Sequence, residues 1–196
     1  MSYCFATCNS GLQNAAPEGD SDGNVDLGSF TCNEDMGGLY TVGRTVYPIT
    51  LPLPGGKSTV SAKTIAILVK HQDGSGNQRG PREFRLGNSI ILNSEVWPTA
   101  RVQLSQCGNP WLGPIENVFS KSEFVLMVIR NGEEGSAMFR NGVELASSDC
   151  TTFAPEEDYL WLGRNAFNGI FKSFAMWNRA LSDEEIGSLD PSTLTC

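Results

Sequence analysis

No apolar run in this chain approaches the roughly 20 residues that a membrane-spanning helix needs, so direct insertion into a membrane is not expected. Basic clusters are missing too: 14 Lys and Arg stand against 22 Asp and Glu, for a formal net charge of −8. Nucleic acid and anionic lipid are bound through patches of Lys and Arg that neutralise phosphate, so neither is an expected partner. Histidine is nearly absent. The one copy, His71, stands near Asp73 in a polar stretch with no nucleophilic Ser or Cys in a recognisable setting, and it reads as a surface residue rather than a base. The opening residues, MSYCFATCNSG, have neither a basic start nor a long apolar centre, so they do not read as a signal peptide. No Asn-x-Ser/Thr sequon occurs despite many asparagines. That argues against a heavily glycosylated secretory protein and leaves a bacterial periplasm or an organelle lumen open.

What is present points to strands. At 196 residues and 40% hydrophobic, the chain can bury one sizeable core. Twenty-one glycines and ten prolines, with recurrent Asn/Asp/Ser clusters, imply many short strands joined by turns and little helix. Six cysteines (Cys4, Cys8, Cys32, Cys107, Cys150 and Cys196) are even in number and scattered. Only Cys4 and Cys8 are close, with no histidine near them, so disulfides are expected rather than zinc. That implies an oxidising compartment: extracellular, periplasmic or an organelle lumen.

The most informative stretch is 159–189. Tyr159 to Leu162 alternates as a half-buried strand does, with Leu160 and Leu162 on one face and Tyr159 and Trp161 on the other. Phe167 to Trp177 reads as a second strand. Ser182 suits a helix N-cap, and Glu185 three residues on can return a bond to the cap amide, which predicts a short helix over 182–189. Leu162-Gly163-Arg164, then Phe167-Asn168-Gly169, then Met176-Trp177-Asn178-Arg179-Ala180-Leu181-Ser182-Asp183-Glu184-Glu185-Ile186 resembles the end of a laminin G-like domain of the concanavalin A-like jelly-roll superfamily. Pentraxins share part of this pattern, but their His-x-Cys signature is absent from the strand around Phe124.

Upstream segments fit the same pattern. Residues 1–19 read as an irregular, disulfide-tethered segment, and 20–196 as the domain. Leu39 to Leu53 suggests two short strands, the second kept near an edge by Pro48, Pro52 and Pro54. Thr64 to Lys70 is a core strand. Phe84 to Leu86, Ser89 to Leu92 and Arg101 to Leu104 supply three more. Phe124 to Ile129 must be central, and the pairs Asn131-Gly132 and Asn141-Gly142 predict the turns of a three-stranded meander ending in Val143. The resemblance implies an all-β, two-sheet antiparallel jelly-roll sandwich with one short C-terminal helix. It also suggests that Cys196 reaches back to Cys4 or Cys8.

For function, Asp20, Asp22, Asn24 and Asp26 place oxygen side chains at every second position, as a calcium loop would. The spacing fails the EF-hand rule, since Val25 and Thr31 occupy the positions that need Gly and Glu, and a polar turn explains it equally well. Members of the resembled family often hold calcium with such loop oxygens, helped by an Asp-Glu pair after the Phe-x-Gly hairpin; here that pair is Lys172-Ser173, and a lysine repels a cation. Glucanases of the superfamily use carboxylates spaced Glu-x-Asp-x-x-Glu on one strand, and this chain has no such spacing, so an enzyme is not expected. Recognition is the expectation instead. Trp161, Tyr159, Trp97 and Trp111 are the candidate rings for stacking on sugars or anchoring a protein. Two readings stay open: a module binding glycan or protein ligands, with calcium as a possible cofactor, or a structural accessory subunit docked into a larger complex.

Overall fold

A computed structural model describes residues 2–4, 28, 30–33, 35, 37–41, 49–52, 64–71, 84–86, 90–96, 99–104, 112–116, 118–120, 122–149, 159–162, 169–191 and 194. Of 2–4, 41, 52, 71, 84–116 and 159–161 within these, it describes the backbone alone. Among the described residues, fourteen strands and one helix follow one another: β1 Ser2–Cys4, β2 Thr31–Asn33, β3 Gly38–Thr41, β4 Ile49–Pro52, β5 Thr64–His71, β6 Phe84–Leu86, β7 Ile90–Val96, β8 Thr99–Leu104, β9 Leu112–Glu116, β10 Val125–Gly132, β11 Gly135–Arg140, β12 Val143–Ser148, β13 Tyr159–Leu162, β14 Gly169–Trp177 and α1 Asp183–Gly187. All recorded pairings are antiparallel. The fold is an all-β sandwich with one short C-terminal helix.

The main sheet runs β12-β11-β10-β5-β14-β3-β2, with β1 also paired to β14. The second layer comprises β13-β4 and β6-β7-β8-β9, and β13 runs close to β6. β5 and β10 are buried from Thr64 to Val69 and from Val125 to Ile129, because both faces of the main sheet are covered. Register sorts these side chains. Ala66, Leu68, Leu126, Val128, Ala137 and Phe139 share the outer face, where Leu181 and Ile186 of the C-terminal segment close over them. Ile65, Ile67, Val69, Met127, Ile129 and Met138 occupy the inner face. They share the space between the layers with Leu39, Phe171 and Phe174 and with Ile49, Leu51 and Leu162 of β4 and β13. Phe30 tilts against Phe171 there, ring centroids 5.5 Å apart.

A bulge in β14 serves this arrangement. Phe171 pairs with Val69 and Ser173 with Leu68, so Lys172 is the extra residue. In a regular strand, Phe171 and Phe174 would point to opposite faces. With the extra residue, both reach the inner core, and both are among the largest fully buried side chains.

The helix forms as its sequence dictates. Ser182 Oγ accepts from Glu185 N at 3.1 Å and Glu185 Oε2 accepts from Ser182 N at 2.8 Å, a capping box. Arg179 holds the same carboxylate with two bonds of 2.6 and 2.8 Å. Arg130 reaches the carbonyl of Leu181 and the carboxylate of Asp183. Beneath them the buried hydroxyl of Thr64 donates to Arg179 O and accepts from Leu181 N, both at 2.9 Å.

Two expectations need correction. Ser2–Cys4 pairs with Ser173 to Ala175, so the first residues of the segment read as irregular join the main sheet. The turn expected at Asn131-Gly132 lies two residues later, at Glu133-Glu134, between the paired Gly132 and Gly135. Asn131 stays in the ladder opposite Ser136, both buried. The glycine this hairpin requires is Gly135, at φ 121°, where a Cβ would come 2.0 Å from the carbonyl oxygen of Ser148. Asn141-Gly142 does form its turn, with φ of 48° and 80°, the left-handed pair that suits a two-residue hairpin.

Candidate functional site

β5, β10 and β14 lie side by side, and the outer face of their common end carries a group of side chains that the helix does not cap. Val125 and Phe171 both pair with Val69. Phe124, one residue ahead of β10, therefore stands level with Lys70, and the β14 bulge supplies Lys172 from the other side. The Nζ of Lys70 lies 5.9 Å from the centroid of the Phe124 ring, and the Nζ of Lys172 lies 5.4 Å from it. All three residues are half-buried. Phe124 rests on the outer-face cluster that includes Leu68 and Leu126, which holds the ring in place. Each ammonium is within the roughly 6 Å over which a ring face attracts a cation, worth about 0.5–1 kcal/mol at a partly exposed site.

The charges around this group are unusually placed. The three arginines whose side chains are described each have an acid: Arg130 has Asp183, Arg140 has Glu123 at 3.7 Å, and Arg179 has Glu185. Glu123, the carboxylate next to Phe124 in the chain, is thus turned toward Arg140 and not toward the lysines. Among the described residues neither Lys70 nor Lys172 has an acidic partner, and the two converge on one ring in a chain of net charge −8. An ammonium offers three donors and no acceptor. Two of them beside a half-buried ring can receive anionic oxygens while the ring meets an apolar surface. Neither a lysine nor a phenylalanine in this setting is an obvious nucleophile or base, so the group is suited to holding a ligand.

The residues singled out from the sequence fall elsewhere. Tyr159 and Trp161 are on β13, opposite Pro52 and Thr50 of β4, alternating with the register positions of the buried Ile49, Leu51 and Leu162; their side chains lie outside the described residues. Trp97 and Trp111 lie outside them as well, as do Asp20, Asp22, Asn24 and Asp26. No cluster of three metal-ligating side chains occurs among the described residues, and no described helix is long and apolar enough to cross a membrane. Cys4 belongs to β1. Cys32, on β2, is disulfide-bonded; Cys8, Cys107, Cys150 and Cys196 lie outside the described residues. The sequence reading noted Lys172 only as the replacement for an acidic pair, and read Lys70 and Phe124 as parts of core strands. Their meeting depends on the pairing of three strands distant in the chain, which no local pattern carries.

No family model and no curated protein matches the chain. Solved structures do resemble it. Trypanosoma rangeli sialidase in complex with the inhibitor DANA superposes with a TM-score of 0.64 at 15% identity, over 88% of this chain and 30% of the sialidase. The chain thus spans less than a third of that protein's length. The Ruminococcus gnavus IT-sialidase CBM40, bound to alpha2,3 sialyllactose, gives 0.53 at 15% identity, over 76% of this chain and 97% of the module. The binding domain of botulinum neurotoxin serotype G gives 0.58 at 13% identity, over 96% of this chain and 49% of that one. At these identities the likeness establishes the fold, a β-sandwich, and not a laminin G-like domain in particular.

Proposed function

We propose that the chain is a non-enzymatic recognition module that binds glycans outside the cytoplasm. The observation that carries this reading is the likeness to an entire carbohydrate-binding module, 97% of whose length is matched. A toxin's binding domain, aligned with 96% of this chain, supports the same reading. The match to the sialidase covers only 30% of that enzyme and lends a hydrolytic role little support. The disulfide at Cys32 favours an oxidising setting, whether extracellular, periplasmic or lumenal. Besides the group around Phe124, the rings of Tyr159, Trp161, Trp97 and Trp111 are candidate stacking surfaces, and Asp20, Asp22, Asn24 and Asp26 are candidate calcium ligands.

The test is a glycan array probed with the whole chain, in calcium and in EDTA. Selective binding to a set of related glycans is the expected result. An array that stays blank in both conditions overturns the reading and favours an accessory subunit docked into a larger assembly. Binding that disappears in EDTA would add calcium to the site.

A further inference from the structure

We infer that Lys70, Phe124 and Lys172 form an anion subsite, and that the glycans this module takes are acidic, carrying a carboxylate or sulfate. The inference rests on the glycan-binding reading and specifies the ligand's charge. Its basis is the pairing of opposite charges along the described surface. Every arginine with a described side chain has a carboxylate, whereas Lys70 and Lys172 have none among the described residues and share a ring.

Because both Nζ atoms lie within 6 Å of one centroid, they are separated by no more than the sum of those two distances. At such separations in water-like surroundings two like charges repel by about 0.4–1 kcal/mol. An anionic group set between them reverses that repulsion and gains charge-assisted hydrogen bonds, each about 1.5–3 kcal/mol. The ring supplies the second half of the recognition. Phe124 is fixed from behind by the Leu68 and Leu126 cluster, so it needs little further ordering to accept the C–H face of a sugar. Glu123 is held by Arg140 at 3.7 Å and does not fill the site from within. A cation is unwelcome beside two ammonium groups, so the subsite works without calcium.

The experiment is calorimetric titration of the whole chain with three probes on one scaffold: lactose, lactose 3′-sulfate and 3′-sialyllactose, each with and without EDTA. The two acidic probes are expected to bind at least tenfold more tightly than lactose, to weaken as salt is raised, and to be unaffected by EDTA. A preference between sulfate and carboxylate identifies which acid is favoured. Lys70→Ala with Lys172→Ala should cost tenfold or more for the acidic probes and so abolish their advantage over lactose, while Lys70→Arg with Lys172→Arg restores much of the loss. The two pairs of variants share a melting-temperature control, and the arginine pair keeps the test valid if the alanine pair folds poorly. Equal affinity for lactose and the acidic probes, or an alanine pair that binds like the parent, overturns the subsite and leaves the glycan reading standing. If neither acidic probe binds, the subsite is overturned as well, and silence from neutral glycans on the array would remove the broader reading with it.

Discussion

Glu185 carries two jobs on one carboxylate, closing the helix cap at Ser182 and receiving Arg179. The Arg179 guanidinium, first, and then the Ser182 amide hold its pKa down to about 2 from an ordinary 4.5. A carboxyl depressed in the folded state stabilises the fold above its unfolded value, and that contribution is lost as pH falls. The window here runs from about 4.5 down to about 2. Glu185→Gln keeps an amide oxygen for the cap and removes the titration. Between pH 5 and 2 the variant's melting temperature should therefore fall less steeply than the parent's; parallel curves would show that the pair contributes nothing. Thr64 has the opposite character, a neutral group with no exposure. Its hydroxyl joins β5 to the carbonyl of Arg179 and the amide of Leu181, so Thr64→Val leaves two backbone groups without their partner. The expected loss is about 1–3 kcal/mol in a urea melt, and a loss below about 0.5 kcal/mol would mean that solvent replaces the hydroxyl.

Among the elements, β14 decides most, since it pairs with β5 along its length and with β1 and β3 on its other side. Its extra residue can be separated from that residue's side chain. Lys172→Ala keeps the bulge and should melt within a few degrees of the parent. Deletion of Lys172 removes the bulge and leaves Phe171, Ser173 and Phe174 in regular alternation against Val69, Leu68 and Ile67, so Phe171 and Phe174 stay on the inner face. The deleted chain should therefore keep a cooperative melt in circular dichroism; loss of cooperative unfolding would show that the added twist of the bulge is itself required by the sheet. The bulge was not legible in the sequence, because Phe171-Lys172-Ser173-Phe174 carries no glycine or proline to mark it. Neighbouring features were legible for physical reasons that are local. Ser182 and Glu185 bond each other within one turn, and Asn141-Gly142 supplies two left-handed residues in succession. The hairpin at Glu133-Glu134 was misplaced because the constraint there is a distant one, the approach of Ser148 to Gly135.

Across the whole molecule, the strands that could be read one by one are assembled by contacts far apart in sequence. Thr64 pairs with both Arg130 and Trp177, so β5 cannot complete its neighbours until most of the chain is present. The same nonlocal assembly brings Lys70, Phe124 and Lys172 together, which is why the strands were legible and the candidate subsite was not. It also ranks the elements by stability. β5, β10 and β14 are paired on both sides and covered on both faces, inside by the space between the layers and outside by Leu181 and Ile186. Among the described residues β4 is paired only with β13. Amides that open only when the whole structure unfolds exchange slowest, so native-state hydrogen exchange should find its most protected group in β5, β10 and the middle of β14, with β4 exchanging earlier. Ile186→Ala tests the outer cover separately, because Ile186 has no exposure and truncating a buried isoleucine costs about 2–5 kcal/mol. The variant should lower protection throughout β5, β10 and β14 together if the outer cover and the inner core unfold as one unit. If only residues 181–189 lose protection, the helix is a separate clasp and the two faces of the sheet are stabilised independently.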